Sequence, residues 1–303
     1  MRGLLLYNPQ ATSTNARVRD EVIRALASGF SLQVQPTEHR HHATEIAAKA
    51  VAEQDVEIVF SLGGDGTANE TLQGLAGTDM LFAPIPGGGS NVLARTLGLP
   101  NQPVAACHQL CEAARADRVR TIGLGMADER WFAFSAGFGF DAAVVKRVEG
   151  RPRFKHTARQ LAFVWCGFAE WFAAGAGLPA EIHLIGSDGV PGPAQAIAIV
   201  GNSDPYTFLG PRALRVTPQA TFATGLDLLT MDAVSTRRIL GSIRRAFGNG
   251  SHVDAAHATY AHDLREFTLL ADRPRQLMVD GDHVGEFSEV TFRAVPDALR
   301  ILV

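Results

Sequence analysis

The chain has 303 residues, with 28 basic and 31 acidic side chains and a formal net charge of −3 at neutral pH. This near-neutral balance argues against a protein that coats nucleic acid, because such proteins usually carry a basic excess. The apolar fraction of 46% and the 30 glycines exclude disordered and fibrous classes. A chain of this length usually forms about two domains, each with its own core.

The three cysteines and the apolar runs indicate the cellular compartment in which the protein is expected. Cys107, Cys111 and Cys166 contain no Cys-x-x-Cys pair, so a disulfide framework and a structural zinc site are not expected. The first apolar run is cut off by Asn8 and Pro9, which does not suit a signal peptide. The longest run, residues 161–178, contains an acid and several glycines, and is interpreted as a buried or interfacial helix. We therefore expect a soluble, cytoplasmic protein.

The first third of the sequence repeats one pattern, in which an apolar run is followed by a polar or glycine-rich loop and a helical pattern. This alternation predicts parallel strands joined by helices, with the loops at the carboxyl edge where such sheets bind ligands. The predicted strands are residues 3–7, 32–35, 56–62 and 80–86, and the predicted helices are 15–28, 44–54, 68–76 and 90–97. Thr67 with Glu70 predicts a capping box, and Ser90 is the expected N-cap of the fourth helix.

The pattern changes near Thr121, where short β-like runs separated by glycine and proline begin. These runs are residues 131–136, 181–185, 194–200, 226–231, 266–270, 276–279 and 288–292, with helical interruptions at about 157–174 and 235–247. We predict an α/β domain with a parallel sheet, followed after a boundary near residues 121–126 by a mainly β domain.

Gly63-Gly64-Asp65-Gly66-Thr67 is the most informative single motif. Glycines let the backbone approach an anion closely, and the N-terminus of the following helix offers N–H groups and a positive dipole end. A carboxylate in an anion site makes chemical sense when a cation binds there too, typically Mg²⁺ on a nucleotide. A tight strand-to-helix turn with Asp65 as a local cap explains the same residues equally well.

The scarcity of lysine narrows the ways in which phosphate could be bound. No lysine follows any glycine run, which excludes a P-loop NTPase, and the motifs of the protein-kinase fold are missing. Backbone amides, a metal and arginine would have to neutralise bound phosphates. Arg95 is the nearest candidate, and a solvated arginine on a helix is an equally good interpretation.

Five segments then occur in a characteristic order: Asn8-Pro9, residues 63–70, residues 86–95, residues 137–142 and residues 279–282. In this order they resemble the diacylglycerol kinase catalytic domain family, which includes bacterial lipid kinases and sphingosine kinases and is distantly related to NAD kinases. The resemblance covers nearly the whole chain. It implies an α/β nucleotide-binding domain over residues 1–124 and a β-rich domain for the lipid substrate over residues 125–303, whose last residues are free to return to the first domain. It also implies ATP in the cleft between the domains and phosphate transfer to a lipid hydroxyl.

The resemblance also implies roles for individual residues, with ATP and Mg²⁺ as cofactors. Asp65 would help to hold Mg²⁺, Asp141 would join a metal and water network, and Asp282 would help to deprotonate the acceptor hydroxyl. The implied nucleotide-binding residues are Asn8, Pro9, Thr12, Ser13, Gly63, Gly64, Gly66, Thr67, Asn69, Glu70, Gly88, Ser90, Asn91 and Arg95. The alternative for the three carboxylates is a set of ordinary turn aspartates, since Asp-Gly is also a common hairpin turn.

The sequence departs from the family pattern in two places that matter. Asp282 occupies a position where the family usually has glutamate, and Glu286 is a conceivable substitute. Thr224 stands where bacterial members often carry an acid before the glycine, although Asp227 is kept. A structural Mg²⁺ that some relatives bind in that region is therefore not expected.

Two stretches combine basic and apolar residues in a way that suits an anionic membrane surface: residues 146–159, which lead into five aromatic residues, and residues 237–247. A core helix with a solvated arginine edge is at least as good an explanation. The sequence thus allows peripheral contact with the inner membrane surface. It leaves the oligomeric state open, with a homodimer allowed.

The leading hypothesis is an ATP-dependent lipid kinase that transfers the γ-phosphate to a lipid alcohol, with diacylglycerol as the expected acceptor and phosphatidic acid as the product. An NAD kinase, which shares the Gly-Gly-Asp-Gly-Thr loop, is the alternative enzyme. A nucleotide- or lipid-binding protein that has lost catalysis is the alternative outside enzymes, because Asp282 and Thr224 depart from the family pattern.

Overall fold

The structure is a computed structural model that describes residues 1–11, 14–139, 180–186, 189–232 and 236–303. These residues form two compact units. The N-terminal unit comprises Met1–Gly123 together with Asp297–Val303, and the C-terminal unit comprises Leu124–Pro296.

The N-terminal unit alternates strands with helices. Its strands are β1 (Arg2–Tyr7), β2 (Ser31–Pro36), β3 (Ile58–Gly63) and β4 (Leu81–Pro86). Its helices are α1 (Ala16–Leu26), α2 (His42–Glu53), α3 (Asp65–Leu75), α4 (Val92–Thr96) and α5 (Pro103–Arg115). The strand order is β2-β1-β3-β4, and all neighbours are parallel. The predicted α/β domain with a parallel sheet is therefore confirmed.

The burial pattern explains why this unit folds as a helix-covered sheet. Every residue of β3 and β4 is buried, as expected for parallel strands that have helices on both faces. Helix α1 packs against α5, and α2 packs against α3. Val22 and Leu26 of α1 join Leu110 of α5 in one apolar cluster with the sheet residues Phe60 and Ile85.

The C-terminal unit is mainly β. Its strands are β5 (Val119–Ala127, which begins in the first unit), β6 (Arg130–Phe132), β7 (Ser135–Gly139), β8 (Ile182–Ile185), β9 (Ile197–Gly201), β10 (Thr207–Leu209), β11 (Arg212–Leu214), β12 (Leu226–Met231), β13 (Ala258–Leu264), β14 (Glu266–Val279) and β15 (Asp282–Leu302). The order β13-β12-β9-β7-β14-β15 is antiparallel throughout. Helix α6 spans Thr236–Ala246. The prediction of a mainly β second domain is confirmed.

Several predicted element limits change in this unit. The runs at 266–270 and 276–279 belong to one strand, β14, and the run at 288–292 lies inside the 21-residue strand β15. Strands β5 and β13 did not stand out in the sequence because polar and small residues interrupt them. The helical prediction at 157–174 lies outside the described residues. No helix among the described residues is long and apolar enough to cross a membrane.

Candidate functional site

Three loops meet at the carboxyl edge of the parallel sheet. The N–H of Asn8, after β1, donates to the carbonyl of Leu62 at 3.1 Å, and the N–H of Gly87, after β4, donates to the carbonyl of Gly63 at 2.7 Å. The Thr14 hydroxyl, which is buried, donates to the Gly87 carbonyl at 3.5 Å. The structure therefore brings together the three loops that the sequence singled out.

The glycines of these loops lie where a side chain has no room. A Cβ on Gly63 would lie 2.5 Å from the Thr67 hydroxyl oxygen, and a Cβ on Gly88 would lie 2.6 Å from the Cα of Gly64. Because the second neighbour is backbone, it cannot rotate away. The loops after β3 and β4 thus touch through glycine backbone, which leaves a shallow recess beside Gly64 and Asp65.

Helix α3 begins at Asp65, three residues earlier than predicted, and the capping box of Thr67 and Glu70 is wrong. The N-cap is Gly64, with extended backbone at φ −85° and ψ −174° and no side-chain cap. Thr67 is instead the third residue of the helix, and its side chain is buried against Gly63. The chain therefore enters the helix directly after Gly63 and Gly64.

Asp65 lies at the positive end of this helix. Its Oδ1 accepts a hydrogen bond from the N–H of Leu93 at 3.3 Å, which ties it to α4. Burial lowers the pKa of the Arg95 guanidinium, and the negative charge of Asp65 opposes that shift. The Arg95 Nη1 also donates to the Ser90 carbonyl at 3.4 Å. A carboxylate and a partly buried cation therefore lie close to the glycine loops.

The other predicted residues of α3 are placed more deeply. Asn69 is only 1% exposed, and its Oδ1 accepts from Gln73 at 3.2 Å. Glu70 is half-buried, and its carbonyl accepts from the hydroxyl of Thr44 at 2.7 Å. The contact of Asn69 within its own helix and that of Glu70 with α2 suit support of the loop.

The N-cap of α4 is Asn91, so the prediction of Ser90 is wrong. Asn91 has left-handed backbone, with φ 48° and ψ 49°, and is almost completely buried. Its side chain turns back to Gly88 instead of capping the helix. Ser90 is half-exposed beside it.

The C-terminal motif is a two-residue hairpin turn between β14 and β15. Val279 pairs with Asp282, and the two turn residues have positive φ, 48° at Asp280 and 85° at Gly281. Such a turn suits the Asp-Gly sequence. Asp282 is half-buried at the start of β15, and Glu286, on the same strand, is exposed and hydrogen-bonded to Gln276.

Asp280 is the residue of this motif that sequence reasoning did not single out. It is 3% exposed, and its carboxylate accepts three backbone N–H bonds: from Ala133 at 2.7 Å, Phe134 at 2.9 Å and Ser135 at 3.1 Å. The Asp-Gly signal was visible, but only as a turn. The sequence did not show that the aspartate turns inward and holds the segment before β7.

A second buried carboxylate, Asp227, lies on β12 and is fully buried. Its oxygens are hydrogen-bonded to the Tyr260 hydroxyl and, at 2.7 Å, to Nδ1 of His262. Thr224, at the position where bacterial members often carry an acid, closes a local turn. Its hydroxyl donates to the Thr221 carbonyl at 3.0 Å.

Some predicted residues lie outside the described part of the chain. These are Thr12 and Ser13 of the first loop, Asp141, Cys166 and the basic stretch at residues 146–159 with the aromatic residues after it. Cys107 and Cys111 are described, and both are free and buried.

Two family models match the chain in succession. The model of the diacylglycerol kinase catalytic domain matches residues 2–124, and the model of the YegS C-terminal NAD kinase beta sandwich-like domain matches residues 135–303. Together they match most of the chain, in the order that the sequence motifs predict. The chain therefore belongs to the diacylglycerol kinase family of lipid kinases.

Individual relatives agree with this assignment. A diacylglycerol kinase of Mycobacterium tuberculosis is 30% identical over 270 residues, which are 86% of this chain and 81% of that protein. The structure of a protein described as a putative diacylglycerol kinase from Bacillus anthracis has the same fold, with a TM-score of 0.76, 18% identity, and coverage of 99% and 96% of the two chains. An NAD kinase from Archaeoglobus fulgidus in complex with ATP is more distant, with a TM-score of 0.55, 13% identity, and coverage of 100% and 94%.

Proposed function

We propose that the protein is an ATP-dependent kinase that phosphorylates the free hydroxyl of diacylglycerol and forms phosphatidic acid. The observation that carries this proposal is Asp65 at the N-terminus of α3, beside two glycine loops in backbone contact. The similarity to a diacylglycerol kinase of Mycobacterium tuberculosis supports diacylglycerol as the acceptor.

The residues present fit a nucleotide with Mg²⁺. The loops are cradles that a Cβ would fill at Gly63 and Gly88, and helix α3 begins without a side-chain cap from the described residues. The first N–H groups of a helix have no partners within it and favour anions. A carboxylate such as Asp65 is a suitable oxygen ligand for Mg²⁺, which would neutralise phosphate charge during transfer.

We assign phosphate contacts to the backbone N–H groups of Gly64 and Gly66, close approach of the nucleotide to Gly88, which has no side chain, and charge compensation to Arg95. Further proposed contacts come from the remaining residues of the three loops and helix starts: Asn8, Pro9, Thr12, Ser13, Gly63, Thr67, Asn69, Glu70, Ser90 and Asn91. Backbone N–H groups orient phosphate without being consumed, so the loops act mainly by positioning.

Asp282 is proposed to accept the proton of the acceptor hydroxyl, while Asp141 is proposed to orient the reacting groups. As the hydroxyl proton passes to the Asp282 carboxylate, the hydroxyl oxygen forms a new bond to the γ-phosphorus. ADP leaves with the electrons of the broken bond between the γ-phosphorus and its oxygen. A carboxylate that is only half-buried, as at Asp282, remains accessible to such a group.

The experiment compares wild type with Asp65→Asn. Asparagine keeps an oxygen for the Leu93 N–H, so the variant is expected to fold while losing the charge that a cation requires. Purified protein is incubated with Mg²⁺, γ-labelled ATP and, in separate reactions, diacylglycerol vesicles, a sphingoid base or NAD. We expect label only in phosphatidic acid, with at least a hundredfold loss, on the order of effects for a charged catalytic group, in the variant.

The alternatives give distinct results in the same assay. Label in NADP would favour the NAD kinase alternative. Label in the sphingoid base would show that this base, and not diacylglycerol, is the acceptor. If the wild type transfers label to none of these acceptors, the result would favour a nucleotide- or lipid-binding protein that has lost catalysis. Full activity of Asp65→Asn would remove Asp65 from the mechanism.

A further inference from the structure

The loop after β4 is shaped by one amide side chain. The Oδ1 of Asn91 accepts from the N–H of Gly88 at 2.8 Å, and its Nδ2 donates to the carbonyl of the same glycine at 3.0 Å. Both backbone groups of Gly88 are thus bound by a residue that is itself 4% exposed. Gly88 also lies against Gly64, since a Cβ on Gly88 would lie 2.6 Å from the Cα of Gly64. The position of Gly88 therefore sets the contact between the two glycine loops.

A second amide outside the motifs reaches the first. After α4 the chain reverses at Gly98, which has φ 85°, and the N–H groups of Gly98 and Leu99 donate to Arg95 and Ala94 at 3.0 Å each. Leu99 is buried and anchors the return. The reversal places the Oδ1 of Asn101 2.7 Å from the Nδ2 of Asn91.

The three hydrogen bonds together define one orientation of the Asn91 amide. Its two N–H donors serve the Gly88 carbonyl and the Asn101 oxygen, while its oxygen serves the Gly88 N–H. A rotation by 180° would bring an N–H donor against the Gly88 N–H and an oxygen against two acceptors. Loss of the Asn101 oxygen would leave one donor of this buried amide without its partner, and would weaken the preference.

We propose that Asn101 is a positioning residue for nucleotide binding, which acts through Asn91 on Gly88 and so on the contact with Gly64. The inference rests on the proposed function, since it presumes that these loops bind the phosphates of ATP. Asn101 is exposed and lies beyond the motifs, so its role comes from the hydrogen bond and the chain reversal alone.

The first test is Asn101→Ala in the full chain. The net contribution of one neutral hydrogen bond is modest, so we expect the affinity for MgATP to fall about three- to tenfold. The KM for ATP should rise by the same factor while kcat and the KM for diacylglycerol stay within about twofold, because no reacting group is removed. Gln102→Ala, an exposed neighbour with no side-chain cap role, is the matched control and should match wild type.

A double-mutant cycle shows whether the effect passes through Asn91. Asn91→Gly removes the amide and tolerates the left-handed backbone at φ 48°. In that background Asn101→Ala should weaken MgATP binding by less than twofold, since its partner is gone. MgATP affinity is measured by calorimetry, and equal melting temperatures of Asn101→Ala and Gln102→Ala exclude a general loss of stability.

The outcomes separate this inference from the proposed function. An active wild type with unchanged MgATP affinity in Asn101→Ala overturns the role of Asn101 alone, and so does an undiminished effect in the Asn91→Gly background. A wild type that binds MgATP but phosphorylates nothing overturns the proposed function, while the binding data still decide the role of Asn101.

Discussion

Gly88 is a single position at which one methyl group would displace backbone. An added Cβ would lie 2.6 Å from the Cα of Gly64, and backbone cannot move aside as a flexible side chain could. The contact exists only because both loops carry glycine at the point of closest approach.

We therefore expect Gly88→Ala to lower MgATP affinity at least tenfold, or about 1.4 kcal/mol, by pushing the two loops apart. The measurement is calorimetric titration with MgATP, alongside a thermal melt. Gly241→Ala is the control, because a Cβ there meets no atom of the described residues within 4 Å and lies inside a helix. Equal affinities of Gly88→Ala and wild type would show that the loop contact is not needed for binding.

Asp204 is a residue whose charge state is set by the fold. Burial raises the pKa of Asp204 to about 6, and the negative charge of Asp227 acts in the same direction. The Arg215 guanidinium, whose Nη1 lies 2.5 Å from Oδ2 of Asp204, opposes the shift. Since the folded state binds the proton more tightly than the unfolded chain, Asp204 favours folding at low pH. That contribution is lost as pH rises towards about 6.

The prediction is that Asp204→Asn removes a pH dependence of stability. Between pH 4 and pH 6, the free energy of unfolding of the variant should rise relative to that of wild type, because only the wild type loses a stabilising proton. Urea unfolding at several pH values measures this difference. Asp79→Asn, an exposed carboxylate, is the control. A difference between Asp204→Asn and wild type that stays constant across this range would contradict the prediction.

At the scale of elements, helix α6 combines an apolar side with an exposed basic edge. Ile243 and Phe247 pack on the clusters around Met231 and Leu229, so the apolar side of this part of the helix belongs to the core. Arg244 and Arg245 are exposed. The apolar side chains of this part are thus already packed, and the membrane contact that we test for it is one that depends on charge.

We expect Arg244→Glu with Arg245→Glu to reduce co-sedimentation with vesicles that contain anionic lipid. Basic residues near such a surface contribute about 1 kcal/mol each, so reversal of two should lower binding more than tenfold. High salt should abolish the wild-type binding in parallel. Arg17→Glu, an 86% exposed arginine on α1, is the single-charge control and should bind like wild type. Unchanged binding of the double variant would exclude α6 as the contact.

The elements that could be predicted from sequence are those that a local pattern specifies. The buried strands β3 and β4 and the loops after them follow directly from apolar runs that end in glycine. The capping of α3 and α4 could not be read in this way, because the Thr67 side chain packs against Gly63 and the Asn91 side chain bonds back to Gly88, and neither caps its helix. The roles of Asp280 and Asn101 depend on partners brought close by a hairpin and a chain reversal, which no local pattern contains.

At the scale of the whole molecule, the N-terminal unit is built from two separate parts of the chain. Its first part ends at Gly123, and residues 297–303 supply the rest after the C-terminal unit has been completed. Arg300 and Ile301, at the end of β15, pair in parallel with Leu81 and Phe82 of β4. The sheet of the first unit therefore includes the last strand of the described chain.

Removal of residues 297–303 should therefore unfold or strongly destabilise the N-terminal unit. Leu299, Ile301 and Leu302 are at most 1% exposed, and full burial of each such side chain contributes about 1.5–3 kcal/mol. Truncation would also uncover the hydrogen-bonding edge of β4. Limited proteolysis should then cut within residues 1–123 first, and binding of MgATP should be lost with the fold. Deletion of Val303 alone, which is only half-buried, is the control and should leave the protease pattern unchanged. A truncated protein that resists protease like wild type would show that residues 1–123 form a stable unit without the returning strand.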